Sequence, residues 1–542
     1  MKGSRCIVIF CLLLLGAAGL AHAASRYGGN TPPSIAAVSV KTFGAVGDGV
    51  VRDDPAFLAA TASVASNGGG VIFVPPGRYA LYAAISLPSN VSIAGSGRAS
   101  ILVQKYNGTI LRVTDASDIN VSSLAIEGDR DKYPGSGDNG IEIDWSAAGG
   151  KNILLRDISI SELSGAGIIA IGGRERPSRN LVIDGCAILD TGAHGIVVQD
   201  YISEVKIENN SVRNYGLGSP SRPGITASRN GRRVLISGNI VDGSADALGS
   251  SVHGISLDGC ADVVCVDNRI SVRAKGYGIE IGFVIGGAIL NNTIDDCPHG
   301  PAIGISGNGR FLNGYSDGIA IVGNVVTSAA VGIQALMDNY TGKSRHSHVT
   351  IADNIISGKS VGVGIQAEYV DFIDIVSNTI TNCSLSGIYL IDNTSQLIAE
   401  NKITGCNVGL QRSVTSLDSN QAIATAVSPG HKFTTGDVIN IVGALPPEYC
   451  GIFSIRVLDG NIFTYAISNA ISSPAKGIVH AIKAADLGHA GLRVLSDDAL
   501  YDNQTTLGEN FIQNNGASDI NIGLSHGANL GLGADVVVPK NR

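Results

Sequence analysis

Charge, aromatic rings and long apolar runs are all scarce in this chain of 542 residues. Charged residues make up 15% and aromatics 5%, too few for a largely helical protein with solvated charged faces or for a ring-packed core. The 38 Lys and Arg fall short of the 46 Asp and Glu, which argues against a general nucleic-acid binder. An acidic polymer stays open as a ligand, because a local basic strip can coexist with an acidic whole. The longest apolar run, Ile7 to Leu15, is too short to span a bilayer. With Lys2 and Arg5 before it and Ala21-His22-Ala23 behind it, the segment 1–23 reads as a secretory signal, so the protein is expected to be secreted or periplasmic. Its removal takes two cations and moves the net charge from −8 to −10. Two of the nine cysteines go with it. The remaining Cys186, Cys260, Cys265, Cys297, Cys383, Cys406 and Cys450 are odd in number and irregularly spaced, which argues against a zinc site. Cys383 and Cys406 should stack on neighbouring turns, either as a disulfide or as buried free thiols.

Glycine, by contrast, is abundant at 71 residues, and much of it is periodic. Gly-Ile, or a close equivalent, opens an alternating strand at Gly140, Gly167, Gly195, Gly224, Gly254 and Gly278. After a less regular turn at Ala302 it continues at Gly332, Gly364, Gly387 and Gly409. The intervals run from 22 to 32 residues, short for a strand-helix-strand unit and right for one coil of a solenoid. A second ladder keeps step: Asn210, Asn239, Asn268, Asn292, Asn324, Asn354, Asn378 and Asn401. An apolar residue stacking inward and an Asn at a tight corner, adopting the left-handed conformation and bonding to the next coil, explain both. The fold is expected to be all-β, a right-handed parallel β-helix.

Residues 24–39 read as a flexible leader around Pro32-Pro33. An Ala-rich helix, Pro55 to Ala65, precedes Gly68-Gly69-Gly70, a strand at Val71 to Val74 and a Pro75-Pro76-Gly77 turn. This helix should cap the open end of the first coil. The unit VKTFGAVGDGVVRDD (Val40 to Asp54) followed by GGGVIFVPPGRY (Gly68 to Tyr79) resembles the N-terminal signature of the pectate-lyase-like β-helix superfamily. That superfamily includes polysaccharide lyases, glycoside hydrolases, phage tailspikes and mannuronan C5-epimerases. Leu124 to Asp131, Ile160 to Ile168 and Gly195 to Tyr201 look most like the epimerases. That family's Tyr and Asp-Pro-His run falls on Ala166 to Gly172, which here reads AGIIAIG, and its Lys falls near Ser136. The epimerase catalytic set is therefore not carried over. His253 to Ser256 and Val272 to Lys275 are loosely similar to polygalacturonases, without their paired aspartates. The β-helix is expected to fill 40–413. Residues 414–484 lack the Gly-Ile ladder and read as a small inserted β-domain, and 485–542 as a final coil and tail.

Strand alternation sorts the candidate site. Facing outward are Glu142 and Asp144, Ile169, Val197 and Gln199, Thr226 and Ser228, Ser256 and Asp258, then Glu280, with Asp200 and Arg229 at strand ends. The position before each glycine gives a second column: Asn139, Ala166, His194, Pro223, His253 and Tyr277. Arg222 lies between its two histidines. Long loops at Arg213 to Arg222, with Tyr215, and at Asp242 to Val252 should wall one side. Turns carrying Arg174, Arg176, Arg310, Arg345 and His346 should wall the other. Such a groove suits an extended, carboxylate-bearing polysaccharide. The plain alternative is that solvated carboxylates and corner histidines are structural.

Lyase or epimerase chemistry would use Arg222 or Arg229 to neutralise a uronate carboxylate, His194 or His253 to abstract a proton, and Tyr277 or Tyr215 to donate one. Ca²⁺ could sit on Asp144, Asp200 or Asp258, without a tight ligand motif. An inverting glycoside hydrolase would instead use Asp258 and Glu280, roughly 8 Å apart if they lie one coil and two positions from each other. A non-catalytic glycan-binding or surface-structural solenoid is the third reading.

Overall fold

The computed structural model describes residues 37–532, apart from 136, 219–220, 244–251, 309–313, 339–343, 359, 408–411, 468–472, 478, 484–491, 497–503, 514, 516–519 and 525–528. The expected signal, most of the leader, and Ser136, Arg310 and Gly409 lie outside the described residues. The chain forms a right-handed parallel β-solenoid of about 11 turns. One coil shows the plan. A first strand, Ile255–Asp258, is followed by a second, Ala261–Val266, and a third, Arg269–Val272. Each pairs in parallel with its successor one coil on: Ile279–Gly282, Ile285–Leu290 and Thr293–Asn308. In the first strands Ile141, Ile168, Ile196, Ile225, Ile255, Ile279, Ile303, Ile333, Ile365 and Ile388 form one in-register stack. All ten are buried.

The glycine ahead of every isoleucine but Ile303, which follows Ala302, is there for space. A Cβ on Gly254 would stand 2.6 Å from the Gly278 carbonyl oxygen and 2.6 Å from Ile270 Cγ2. The asparagine ladder bonds more regularly than expected. The backbone N–H of Asn239 and its Nδ2 both donate to Asn268 Oδ1 at 2.9 Å, while Nδ2 also reaches the Ile207 carbonyl at 2.9 Å. The pattern runs from Asn210 to Asn401 and ends on Asn510. One expectation is corrected here. The left-handed residue is not the ladder asparagine but the one before it, among them Asn209, Asp267, Asn291 and Asp353, with φ between 52° and 57°. Turning the chain one residue early leaves the asparagine free to point inward.

At the open end, helix α1 (Asp54–Ser66) buries Ala56, Phe57, Ala60 and Val64. The Phe57 ring meets Tyr79 edge-on at 5.5 Å. Asp53 ties the preceding loop down by accepting the N–H groups of Val46 at 2.7 Å and Ala80 at 3.2 Å. Near the other end, seven antiparallel strands between Arg412 and Lys483 form a separate sheet. Its own apolar cluster includes Ile439, Ile441, Tyr449, Phe463 and Tyr465. The solenoid then resumes in register, Leu492 pairing with Ile388. Cys383 and Cys406 are free and buried, each following one of two third strands paired on adjacent coils, Thr379–Thr381 and Lys402–Thr404.

Two outcomes are expected. Asn268→Ala strands the Asn239 N–H and the Ile236 carbonyl, and should cost about 1–3 kcal/mol. Amide exchange at Asn239 should quicken alongside a lower unfolding midpoint. Replacing 414–484 with a short linker should leave a soluble, cooperatively unfolding solenoid, since long insertions add little closure entropy. Loss of the parallel β signal by circular dichroism on excision would show that the sheet is integral.

Candidate functional site

Register decides which side chains share the outer face of the first strands. Glu142, Ile169, Val197, Thr226, Ser256 and Glu280 align in one column. Two residues further along, Asp144, Ile171, Gln199, Ser228, Asp258 and Gly282 align in another. Val197, Thr226 and Ser256 point outward yet are buried, so flanking groups close over the floor there. The Thr226 hydroxyl has no hydrogen-bond partner among the described residues. An unsatisfied buried hydroxyl costs about 1–3 kcal/mol, and a ligand hydroxyl would relieve it.

The best-organised group lies just below. The backbone N–H of Tyr277 donates to His253 Nδ1 at 2.9 Å. The neutral ring therefore carries its hydrogen on Nε2, which lies 3.4 Å from Glu280 Oε2. Glu280 also accepts from Ser256 Oγ at 2.8 Å and Ser306 Oγ at 3.4 Å. Burial pushes the His253 pKa below its ordinary value, with the Glu280 carboxylate pulling the other way. Burial pushes the Asp258 carboxyl up, the Glu280 charge adds to that, and Arg229 opposes it. Two glycines make the room. A Cβ on Gly282 would stand 3.0 Å from Asp258 Oδ1, and one on Gly304 would stand 3.0 Å from two Tyr277 ring carbons. The Tyr277 ring thus lies across the strand beside Glu280 and 5.1 Å from the His253 ring.

His194 sits two coils above His253. Burial, and then the Arg222 charge, push its pKa down to about 4. It is neutral at pH 7. Arg222 is exposed at the groove margin.

Other expected site residues stand elsewhere or are occupied. Tyr215 is fully buried in the core, packed where Gly224 and Gly243 leave space, so it cannot line the groove or donate to a substrate. Arg229 is spent on Gln199 Oε1 at 2.5 Å and Asp200 at 3.5 Å, a surface pairing rather than an open carboxylate clamp. Glu142 is held by Thr109 at 2.8 Å and Arg112 at 3.2 Å. Asp144 caps the Ser146 N–H at 3.0 Å. Arg345 and His346 do not form a wall: Arg345 is buried against Asp371 at 2.6 Å, and His346 is fully buried. Asp144, Asp200 and Asp258 belong to coils two apart, so they do not converge on one cation. No group of three or more potential metal ligands occurs among the described residues. Ser306, Gly282 and Gly304 escaped the sequence reading, although extending the Glu280 column by one coil and the Asp258 column by two would have found them.

The shifted groups make stability depend on pH. Ionised Asp258 is disfavoured in the folded state, so Asp258→Asn should raise the melting midpoint at pH 7. That gain should fade as pH falls toward the ordinary value of 3.8. His194 does the opposite. The unfolded chain takes up its proton first, so His194 stabilises the fold above pH 6.5 and loses that contribution as pH falls toward about 4. His194→Asn should flatten the melting curve over that window; an unchanged slope would mean that the ring is solvated.

A family model for the right-handed β-helix region matches residues 87–247 and 139–336. A rhamnogalacturonase A/epimerase, pectate lyase-like model matches 37–130, and a periplasmic copper-binding protein (NosD) model matches 312–423. The mannuronan C5-epimerase AlgE1 of Azotobacter vinelandii is 28% identical over 205 residues, 34% of this chain and 14% of the relative. AlgE4 of the same organism is 28% identical over 191 residues, 32% of this chain and 34% of the relative. The pre-neck appendage protein of Bacillus phage phi29 is 28% identical over 253 residues, 40% and 27% of the two chains. The matches thus span only about a third or less of those relatives' lengths. Among solved structures, the N-terminal fragment of bacteriophage phi29 gene product 12 superposes with a TM-score of 0.50 at 18% identity over 74% of each chain. The AlgE4 A-module gives 0.46 at 20% identity over 65% of this chain and 95% of that one. Cap, ladders and family matches make this chain a right-handed β-helix, similar over residues 37–130 to the pectate lyase-like model and at low identity to the mannuronan C5-epimerases.

Proposed function

We propose that the protein hydrolyses an extended, uronate-bearing polysaccharide laid along the outer face of the first strands. Asp258 would be the general acid and Glu280 the general base. The observation that carries this reading is a pair of neighbouring carboxyls in unlike environments. Asp258 is half-buried with a raised pKa, while Glu280 is bonded by two serines and faces His253. Unlike environments around two neighbouring carboxyls are how acid and base roles are assigned in such pairs. Their register, one coil and two residues apart, sets their backbones about 8 Å apart, a spacing compatible with the carboxyl separation of about 6.5–9.5 Å that leaves room for a water. Asp258 then protonates the departing glycosidic oxygen, and Glu280 draws a proton from water attacking the opposite face of the sugar. The product anomer is inverted. His253 acts through Glu280 and is a positioning residue. Arg222, at the margin, would meet an anionic substituent of the chain.

Lyase or epimerase chemistry is the second reading, favoured by the epimerase relatives and by the proximity of Arg222 to His194. Basicity weighs against it. A base of pKa about 4 abstracts a carbon-bound proton poorly, and His253 already spends Nδ1 on a backbone N–H. The superfamily relationship and the periplasmic family match fit a secreted or periplasmic protein acting on carbohydrate.

A panel of uronate and neutral polysaccharides separates the outcomes. New reducing ends without ultraviolet absorbance are expected, with Asp258→Asn and Glu280→Gln each lowering turnover by ~10²-fold or more. His253→Ala should lower turnover less and shift the acidic limb of the pH profile, which reports the general base. Unsaturated ends, or a changed epimer ratio at constant length, would overturn hydrolysis; retention without chemistry would mark a binder.

A further inference from the structure

On a different face, the third strands enclose a hollow of about 390 Å³, within the range of ~300–1,000 Å³ typical of small-ligand sites. Its floor is a register column. Arg213 pairs with Asp242, Asp242 with Ser271, and Ser271 with Asp296 on successive coils. Arg273 bridges two of the carboxylates, Asp242 at 3.1 Å and Asp296 at 3.0 Å. Arg269 pairs with Asp295. Two groups are left over. The Ser271 hydroxyl is buried without a hydrogen-bond partner, and Arg213 forms no salt bridge among the described residues. Ile240, 42% exposed, supplies an apolar flank.

We infer that this hollow is a second carbohydrate site, one that takes a neutral sugar residue. Three guanidinium groups are offset by three carboxylates, so the hollow offers no net charge to select an anion. It also lacks the three-ligand cluster that a metal would need. What remains is donors and acceptors alternating at the coil spacing of about 4.8 Å. Sugar hydroxyls, which both donate and accept, match that alternation. The C–H face of the ring would lie on Ile240, one hydroxyl would satisfy Ser271, and another would accept from Arg213. The site stands independently of the hydrolysis reading. Engaging the same polymer at two faces would raise avidity without any new contact in the groove.

The test measures binding of neutral hexasaccharides of glucan, xylan and mannan to the full chain by titration calorimetry. Three variants are compared: Arg213→Ala, Ser271→Gln, which fills the hollow, and Thr226→Trp, which obstructs the groove on the other face. Arg213 is exposed, so its loss should leave the melting midpoint unchanged. Binding about tenfold weaker or worse in both Arg213→Ala and Ser271→Gln, but retained in Thr226→Trp, is expected. Unchanged affinity in both hollow variants, or no binding of any neutral hexasaccharide, would overturn the assignment. Failure of hydrolysis alone would leave the binding result standing.

Discussion

Parallel pairing of each coil with the next, residue for residue, is the constraint on which everything else in this molecule rests. The isoleucine stack supplies apolar burial and the asparagine ladder satisfies the corner that burial would otherwise leave unpaired. Neither suffices alone. An apolar stack tolerates a slip of two residues with little loss of burial. The ladder does not, because Asn268 Oδ1 takes both donors of Asn239 and a slip would remove both. Register is thus held by hydrogen bonds and compactness by the stack. Functional groups on such a scaffold can differ only by whole coils along the axis and by two residues along a strand.

That restriction explains why the site is built from small residues as much as from charged ones. Asp258 and Glu280 cannot adjust their backbone positions, so their surroundings are set by what neighbouring coils omit. Gly282 opens space for one carboxylate, and Gly304 lets the Tyr277 ring settle beside the other. The ladder and the site also differ in how well they are satisfied. Each interior ladder asparagine has its bonds made, whereas Thr226 Oγ1 and the raised Asp258 carboxyl are left at a cost. Unrelieved polar groups within a well-satisfied scaffold are what a binding face looks like before its ligand arrives.

The sequence made the fold and its inside-outside order readable because both follow from period alone. The Gly-Ile and Asn ladders mark most coils, and alternation from each glycine sorted Ser256, Asp258 and Glu280 onto one face. Period is silent about contacts between coils. Arg229 looked available because its partners Gln199 and Asp200 come from the preceding coil, about thirty residues away. Tyr215 looked like part of a loop wall, yet Gly224 and Gly243 on the following coils draw its ring into the core. His253 was legible as a candidate but its contact with Glu280 was not, since the tautomer that faces Glu280 is fixed by the backbone N–H of Tyr277.

One corner of the coil escapes the constraint. Between a third strand and the next first strand the chain can lengthen without disturbing any pairing, because register is already set on both sides. In sequence, the segments after Ser211–Arg213 and Ile240–Gly243 are longer than the equivalent segments further down the solenoid. The seven-stranded sheet enters at the same corner, after Lys402–Thr404 and before Leu492–Ser496, and the pairing of Leu492 with Ile388 resumes as though nothing had intervened. These longer segments and the sheet are therefore one kind of addition at different lengths. Because the corner borders the first-strand face, additions there change what reaches the face while leaving the scaffold's energetics nearly untouched. A solenoid of this kind can thus alter its ligand by growing at one corner, with the carboxyl pair, the ladder and the cap unchanged.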